Sequence, residues 1–430
     1  MSVLSGIKFK QTLKPITGEI EVPGDKSISH RAIMFGSMAS GTTHITNFLE
    51  SDDCLHTLEA FRKLGVSIEK EDTSIIIQSD GIDAFKEPTE PIYFGNSGTS
   101  ARLMIGLLAG LPLLYGDPHL TKRPMDRVII PLKQMGLKIE GRENGSLLPL
   151  AIRGTELTGI TYTLPVKSAQ VKSAILLAGL LANGKTKVIE IGPSRDHTER
   201  MLKAFGANIE VNDNEITITN QSALKATDIH VPGDISSAAF WLVAAAIVPN
   251  SLLTIRNVGL NPTRTGMIDV LQAMGADLLI ENERVMGGEK LGDITVTQTK
   301  LNGTTIEGDI IPRLIDEIPI IALLATQAEG KTTIRNAEEL RVKETDRIEA
   351  VVDVLSSLGA DIESMEDGMV INGKTSLTGG HVKSYSDHRI AMMAIIASLI
   401  AKEDVTLDDT SSIAVSYPNF LDDLNKLTSS

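Results

Sequence analysis

An internal repeat of about 70 residues constrains the fold of this chain most strongly. Five amphipathic helix patterns each end at a glycine that is followed by a short strand pattern, as in TLEAFRKLGVSIE and TERMLKAFGANIE. The glycines are Gly65, Gly136, Gly206, Gly275 and Gly359, at intervals of 71, 70, 69 and 84 residues. A glycine just past the last periodic residue is the usual left-handed cap of a helix. Their regular spacing indicates one structural unit that is copied along the chain.

A second series of helix patterns alternates with the first and is apolar on nearly all faces, which predicts buried helices. These segments begin at Gly24, Gly95, Val166, Gly233, Arg313 and Ser386. With the intervening strand patterns, each unit is predicted to form a strand, a buried helix, a strand, an amphipathic helix and two further strands. The chain is therefore expected to contain six βαβαββ units of the α/β class.

A duplicated phrase marks two halves. The segment VPGDKSISHRA starts at Val22, and VPGDISSAAFW starts at Val231. We predict three units in residues 20–228 and three in residues 229–430, with residues 1–19 joined to the second half, because 430 residues exceed what one core usually serves. The second phrase carries Ile235, Ala239 and Phe240 where the first has Lys26, His30 and Arg31. We expect the second copy to keep only its cap, its turn and core residues.

Composition excludes several classes of protein. The net charge of −14 argues against a broad nucleic-acid footprint, which needs many cations. The apolar runs are too short to span a bilayer and the first residues form no apolar signal region, so we expect no membrane and a cytoplasmic location. Cys54 is the only cysteine, which excludes an internal disulfide. Since His30, His197 and His388 fall in separate units, we expect no metal site.

Polar and charged residues concentrate at the predicted starts of helices. They are Lys26 and Ser27, 96–99, 168–170, Asp316 and 387–389 in the buried series, and Arg123, Arg195, Arg264, Lys343 and Arg347 in the amphipathic series. A helix start offers free N–H groups and the positive end of the dipole, so it attracts phosphate and carboxylate. Lys and Arg oppose that dipole unless an anion compensates. The pattern predicts a shared anion site.

Simpler interpretations exist for some of these residues. Ser27, Thr99 and Asp387 could be helix caps, and GNSGTSAR could be a plain tight turn. Asp316 and Glu344 could be ion-pair partners of nearby cations, which is the commoner situation. They are acid–base candidates only where a reacting group lies within hydrogen-bond reach.

The motifs GDKSISHRA, GNSGTSARL, KRPMDRV, SAQVKSA, LRVKETDR and SDHRIAM together resemble the 5-enolpyruvylshikimate 3-phosphate synthase family over essentially the whole chain. The resemblance implies an inside-out α/β barrel in each domain and an active site in the cleft between the domains. It implies an enzyme that transfers the enolpyruvyl group of phosphoenolpyruvate to the 5-hydroxyl of shikimate 3-phosphate by addition and elimination, releasing phosphate. This reaction belongs to the shikimate pathway, towards chorismate and the aromatic amino acids. No cofactor is implied, and we expect a monomer.

The resemblance also assigns residues. Those implied to bind shikimate 3-phosphate are Lys26, Ser27, Arg31, Ser168, Ala169, Gln170, Arg195, Asp316 and Lys343. Those implied to bind phosphoenolpyruvate are Lys26, Gly98, Arg123, Gln170, Arg347 and Arg389. Asp316 is implied as the base on the hydroxyl, and Glu344, Lys343 and Lys26 are implied in the other proton transfers.

The chain departs from the best-known members in a way that resembles the second major class of the family. Ala169 stands where those members have a second serine, Arg195 where they have a tyrosine, and AVSYPNF lacks their C-terminal lysine.

Two alternative functions remain. UDP-N-acetylglucosamine enolpyruvyltransferase uses a loop cysteine, whereas Cys54 precedes an amphipathic helix pattern. A phosphometabolite-binding protein without activity would gain nothing from Asp316 and Glu344 among the cations.

Overall fold

The structure is a computed structural model that describes residues 6–10, 14–107, 113–153, 156–220 and 223–429. The chain divides into two compact units. The N-terminal unit comprises Gly24–Pro232 and Val285–Glu289, and the C-terminal unit comprises Met1–Pro23, Gly233–Arg284 and Lys290–Ser430. The boundaries expected from the sequence stay a prediction. Parts of the predicted domains and the end of the second buried helix pattern, at 1–5, 11–13, 108–112, 154–155, 221–222 and 430, lie outside the described residues.

Both predicted series of helices are confirmed. The buried series is α1 (Lys26–Met38), α3 (Gly98–Leu107), α6 (Ala169–Gly179), α8 (Ile235–Ile247), α10 (Ile318–Thr326) and α12 (His388–Ser398). The amphipathic series is α2 (Asp52–Lys63), α4 (Asp126–Gln134), α7 (His197–Ala204), α9 (Gly266–Ala273), α11 (Arg347–Ser357) and α13 (Phe420–Thr428), and α5 (Arg142–Gly145) is a single irregular turn. The five predicted cap glycines have φ between 84° and 102°, the left-handed conformation expected of them.

The N-terminal unit contains three four-stranded sheets. Their strands are β3 (Ser40–Thr46), β4 (Ser67–Glu71), β5 (Ser74–Asp80), β6 (Ile92–Tyr93), β7 (Leu113–Tyr115), β8 (Lys138–Gly141), β9 (Leu147–Arg153), β10 (Thr161–Thr163), β11 (Lys185–Ile189), β12 (Asn208–Asn212), β13 (Glu215–Thr219) and β14 (Ile229–His230). The sheet orders are β14-β3-β5-β4, β6-β7-β9-β8 and β10-β11-β13-β12. In each sheet the first two strands are parallel and the other neighbours are antiparallel.

The C-terminal unit repeats this arrangement, although the turn between its strands β16 and β17, Val285–Glu289, belongs to the N-terminal unit. Its strands are β1 (Ile7–Phe9), β2 (Thr17–Glu21), β15 (Leu252–Gly259), β16 (Asp277–Met286), β17 (Glu289–Thr297), β18 (Thr305–Ile306), β19 (Gly330–Ile334), β20 (Asp361–Met365), β21 (Gly368–Gly373), β22 (Gly380–Val382) and β23 (Val405–Leu407). Two sheets have the orders β16-β17-β15-β2 and β18-β19-β21-β20. The sixth sheet, β1-β23-β22, has three described strands, with β1 antiparallel to β23.

The strands that precede the two VPGD phrases pair with strands that lie far away in the sequence. Strand β2 pairs in parallel with β15 of the fourth repeat, and β14 pairs in parallel with β3 of the first repeat. The sequence analysis joined residues 1–19 to the second half but named no partner for either strand. Both are short strands before the same Val-Pro-Gly-Asp turn, so the local pattern contains nothing that could decide between the two partners.

The helices of the buried series supply much of two separate hydrophobic cores, one in each unit. All thirteen residues of α8 are buried, including Trp241. The α/β class with six related helix–sheet repeats is therefore confirmed. The inside-out barrel and the location of the active site between domains stay predictions. In the described parts of the chain, no helix is long and apolar enough to cross a membrane.

Candidate active site

Lys26 is the first residue of α1, as the sequence predicts. Asp25 caps this helix by accepting a hydrogen bond from the N–H of Ile28 at 2.9 Å. The ammonium group of Lys26 forms an ion pair with Asp53 of α2, so an internal carboxylate supplies part of the compensation that the helix start requires. Burial raises the pKa of Asp53, but the charge and hydrogen bond of Lys26 outweigh burial and leave it below its usual value.

Arg31 is a buried cation held by neutral groups. Its Nε donates to Thr198 Oγ1 at 2.7 Å, its Nη2 to Ser173 Oγ at 3.0 Å, and its Nη1 to the carbonyl of Ser27 at 2.9 Å. Burial lowers its pKa to about 10, while the charges of Glu199, Asp25 and Glu289 oppose this shift and that of Arg195 adds to it. Among the described residues Arg31 forms no ion pair. Burying a guanidinium without a direct ion pair is costly, and an anionic ligand would offset part of that cost.

His30 has a structural role in the first phrase. Its Nδ1 lies 2.7 Å from Thr57 Oγ1, and Thr57 contacts Ser100 Oγ at 2.6 Å. Ser100 in turn contacts Ser97 Oγ at 2.6 Å. This chain of hydrogen bonds joins α1, α2 and the start of α3. Burial lowers the pKa of His30 to about 3, so the ring stays neutral at physiological pH.

The start of α3 brings two arginines together against a glycine. A Cβ added to Gly98 would lie 3.0 Å from Arg102 Nη1 and 3.2 Å from Arg123 Nη1. Arg102 also donates from Nη1 to Gln170 Oε1 at 2.8 Å, and Gln170 Nε2 donates to Thr99 Oγ1 at 3.1 Å. Gly98, Arg123 and Gln170, which the family resemblance assigns to phosphoenolpyruvate, therefore lie in one cluster.

Arg102 is a candidate that the sequence analysis missed, although it lies within the motif GNSGTSAR. It is one helical turn after Gly98, a spacing that places both on the same face of α3 and could have identified it. Burial, together with the charges of Arg123 and Arg127, lowers the pKa of Arg102 to about 10. None of these three arginines forms an ion pair with another described residue. Like charges kept close together without a carboxylate are typical of an anion site.

The third repeat positions the remaining predicted residues of this unit. Ser168 caps α6 by accepting from the N–H of Val171 at 3.4 Å, and Ala169 and Gln170 begin the helix. Arg195 lies two residues before α7 and is half-buried. Its charge influences the pKa of Arg31, which indicates that the two cations are neighbours. Both belong to the set that the sequence assigned to shikimate 3-phosphate.

In the C-terminal unit, Arg347 lies among three carboxylates. Its Nε donates to Asp387 Oδ2 at 2.8 Å, its Nη2 to Glu344 Oε2 at 2.6 Å, and its Nη1 lies 3.4 Å from Asp316 Oδ1. Burial lowers the pKa of Arg347, but these carboxylates outweigh burial and raise it above its usual value. Its side chain is only 1% exposed. The simpler interpretation of Asp316 and Glu344 as ion-pair partners of Arg347 is thus observed.

Lys343 completes this carboxylate cluster. Its Nζ lies 3.8 Å from Asp316 Oδ1 and 3.3 Å from Glu339 Oε1. Burial raises the pKa of Glu344, but the charge of Arg347, a backbone hydrogen bond and the charge of Arg389 together outweigh burial and leave it below its usual value. The four residues that LRVKETDR and RLIDEIP contribute, namely Asp316, Lys343, Glu344 and Arg347, are therefore neighbours. The cluster combines a carboxylate and an ammonium group, so it can both accept and donate a proton.

Glu317 is a buried carboxylate that the sequence analysis missed. It forms a hydrogen bond with Ser236, and Arg389 Nη1 lies 4.0 Å from its Oε1. Burial raises the pKa of Glu317, and the charges of Arg389 and Arg264 oppose that rise without cancelling it. The sequence signal that could have identified it is an acidic residue directly before the apolar helix α10. Arg389 is thereby placed beside a buried acid.

The second VPGD phrase makes polar contacts that the sequence does not predict. Ile235 and Phe240 are core residues and Asp234 caps α8, as expected. However, Ser236 accepts a hydrogen bond from Arg264 Nη2 at 2.8 Å, and Arg264 also pairs with Asp234 at 3.0 Å. Arg264 is therefore paired with a carboxylate of its own repeat, and it was not among the residues assigned to a substrate.

The described residues contain no group of three or more His, Cys, Asp or Glu side chains arranged to hold a metal ion. Cys54 is buried, and burial raises the pKa of its thiol to about 12, which removes it as a nucleophile at neutral pH.

Known proteins resemble this chain over nearly its full length. The family model of EPSP synthase (3-phosphoshikimate 1-carboxyvinyltransferase) matches residues 10–424. A 3-phosphoshikimate 1-carboxyvinyltransferase of Oceanobacillus iheyensis is 56% identical over 422 residues, covering 96% of this chain and 98% of the relative. That of Bacillus subtilis is 55% identical over 423 residues, covering 97% and 99%. An EPSP synthase structure from Acinetobacter baumannii has a TM-score of 0.92 and 45% identity, covering 98% of this chain and 97% of that one. The chain therefore belongs to the EPSP synthase family.

Proposed function

We propose that this protein transfers the enolpyruvyl group of phosphoenolpyruvate to the 5-hydroxyl of shikimate 3-phosphate and releases phosphate. One observation carries the proposal. Arg31, Arg102 and Arg123 are cations at or near helix starts, and none forms an ion pair with another described residue. Both substrates carry phosphate and carboxylate groups, which such cations and helix dipoles bind well. The names of the full-length relatives support the same reaction.

In the N-terminal unit, the first and third repeats bind shikimate 3-phosphate. The residues assigned to it there are Lys26, Ser27, Arg31, Ser168, Ala169, Gln170 and Arg195. Support comes from the fixed guanidinium of Arg31 and from the neighbouring charge of Arg195. The second repeat serves phosphoenolpyruvate through Gly98 and Arg123, with Gln170 and Lys26. Support here comes from the close approach of Gly98 to Arg123 and from the hydrogen bond that orients Gln170.

In the C-terminal unit, the carboxylate cluster carries the proton transfers. Asp316 takes the proton of the 5-hydroxyl as the oxygen forms a bond to the central carbon of phosphoenolpyruvate, and the methylene carbon gains a proton. In the second step the new methyl group loses a proton and the carbon–oxygen bond to phosphate breaks. Glu344, Lys343 and Lys26 share the proton transfers at carbon and at the departing phosphate. Asp316 and Lys343 also bind shikimate 3-phosphate, and Arg347 and Arg389 bind phosphoenolpyruvate.

Arg347 has a second task in this scheme, because its guanidinium lies among the carboxylates that carry out the chemistry. Its positive charge favours the ionised form of Glu344, which is the form that a base requires. A purely binding protein would have no use for acidic groups beside an anion site. This cluster therefore favours catalysis over a phosphometabolite-binding protein without activity.

The proposal is tested by measuring phosphate release from phosphoenolpyruvate with shikimate 3-phosphate or with UDP-N-acetylglucosamine as acceptor. We expect release with shikimate 3-phosphate alone. No release with that acceptor would refute the proposal, and release with the other would favour the alternative transferase.

The Asp316→Asn variant tests the assigned base. The amide cannot take up the hydroxyl proton, so we expect the turnover number to fall at least about 100-fold while shikimate 3-phosphate still binds. Full turnover in this variant would remove Asp316 as the base. The cytoplasmic location and the monomeric state belong to the proposal as well, and light scattering of the purified protein tests the second.

A further inference from the structure

Lys172 is a fully buried lysine on α6, two residues after Gln170. Its Nζ forms ion pairs with Glu199 at 2.6 Å and with Glu190 at 3.1 Å. The side chains of these carboxylates are only 6% and 10% exposed. Taking three charged groups out of water is costly, and an apolar cluster of the same shape is often equally stable. The reaction outlined above gives this cluster no task.

The cluster is connected to the loop that carries Arg195. Glu190 directly follows β11, and its backbone is fixed because its N–H donates to the carbonyl of Asn214 at 2.8 Å. Its side chain accepts a hydrogen bond from Ser194 Oγ at 2.5 Å. Ser194 immediately precedes Arg195 in the connection 190–196 between β11 and α7. The hydrogen bond between Glu190 and Ser194 therefore fixes this connection next to Arg195, the one residue in it that is assigned to a substrate.

Lys172 forms an ion pair at each end of that connection. Glu190 lies at its beginning, and Glu199 lies in the first turn of α7 just beyond its end. Lys172 itself belongs to the helix whose first residues are Ala169 and Gln170. One ammonium group thus fixes the spacing between two elements that are assigned to shikimate 3-phosphate.

We propose that Lys172 is a positioning residue for shikimate 3-phosphate, which acts through Glu190 and Ser194 to fix Arg195 relative to the start of α6. The inference rests on the proposed function and names residues that set the affinity for one substrate. A purely structural ion pair would affect both substrates or only stability. A positioning role affects the Michaelis constant for shikimate 3-phosphate selectively.

The Ser194→Ala variant is the sharpest test, because it removes the hydrogen bond to Glu190 and leaves all three buried charges in place. We expect the Michaelis constant for shikimate 3-phosphate to rise about fivefold, the effect of losing a hydrogen bond to a charged group at one remove from the ligand. The constant for phosphoenolpyruvate and the turnover number should change less than about twofold. The control is Ser67→Ala, on the exposed face of β4, which should change neither constant.

A second set of variants tests Lys172 itself. Lys172→Met leaves two buried carboxylates unpaired and is prone to misfold, so it is combined with Glu190→Gln and Glu199→Gln in a neutral cluster of similar shape. We expect the triple variant to fold and to show a raised Michaelis constant for shikimate 3-phosphate. Lys203→Met, on the exposed face of α7, serves as the control.

The outcomes separate the two proposals. A wild-type Michaelis constant for shikimate 3-phosphate in Ser194→Ala, or in a folded triple variant, would overturn the positioning role while the proposed function stands. Equal changes for both substrates would overturn it as well. A wild-type protein that releases no phosphate with shikimate 3-phosphate would overturn the proposed function, and this inference with it.

Discussion

Gly98→Ala is the change whose effect can be worked out most directly from the structure. The added Cβ would lie 3.0 Å from Arg102 Nη1, 3.2 Å from Arg123 Nη1 and 3.3 Å from Arg123 Cζ. Non-bonded contacts are optimal at about 3.5–4.0 Å, so both guanidinium groups must move by several tenths of an ångström. Inserting a methyl group into a packed site costs about 1–3 kcal/mol, and the flexible ends of arginine side chains place this case towards the lower end.

This cost should weaken the binding of phosphoenolpyruvate, because Arg123 is assigned to this substrate. A penalty of about 1–2 kcal/mol corresponds to a roughly 5- to 30-fold rise in the Michaelis constant for phosphoenolpyruvate. The constant for shikimate 3-phosphate should change less, since neither displaced guanidinium is assigned to it and Arg102 reaches its ligands through the hydrogen bond to Gln170. Steady-state kinetics with each substrate varied in turn measures both values.

Gly36→Ala provides a matched control. Its Cβ would be equally crowded, at 2.9 Å from Ile77 Cδ1 and 3.1 Å from Thr43 Cγ2, but on the core face near the end of α1. This variant should lower stability and leave both Michaelis constants unchanged. An unaltered constant for phosphoenolpyruvate in Gly98→Ala, or the same rise in Gly36→Ala, would refute the reasoning.

Three further predictions concern stability. Arg347→Met leaves three carboxylates without their shared cation, so the free energy of unfolding in urea should fall by about 3–5 kcal/mol and activity should be lost; a stable, active variant would contradict this. His30 has a pKa of about 3 in the folded chain and about 6.5 when unfolded, so the unfolded state binds more protons and stability falls as the pH drops below 6.5. Lowering the pH from 7 to 5 should remove about 2 kcal/mol through this group, and urea unfolding of His30→Asn should show a correspondingly shallower pH dependence. Tyr417→Phe removes the partner of Trp241 Nε1 at 2.9 Å and of Asp423 at 2.6 Å, so thermal unfolding should show a loss of about 1–3 kcal/mol with unchanged Michaelis constants.

Much of the fold was predictable because its signals are local. The cap glycines Gly65 and Gly359 end their helices in the left-handed conformation that the sequence pattern requires. Helical periodicity and a cap depend on residues a few positions apart, so a single repeat already contains the information for its own helices. The placement of Lys26 and Arg347 as first residues of their helices follows from the same local signals.

The sequence by itself determined the repeats, the two series of helices and the concentration of cations at helix starts. Only the tertiary structure decided that β2 pairs with β15 and β14 with β3, because strand partners are chosen by contacts far apart in the chain. Tertiary contacts also decided which cations are neutralised: Arg264 meets Asp234 internally, whereas Arg123 forms no ion pair with another described residue. The two arginines occupy equivalent places in their repeats, so their different roles arise from the partners that folding brings to each, and local sequence does not record those partners.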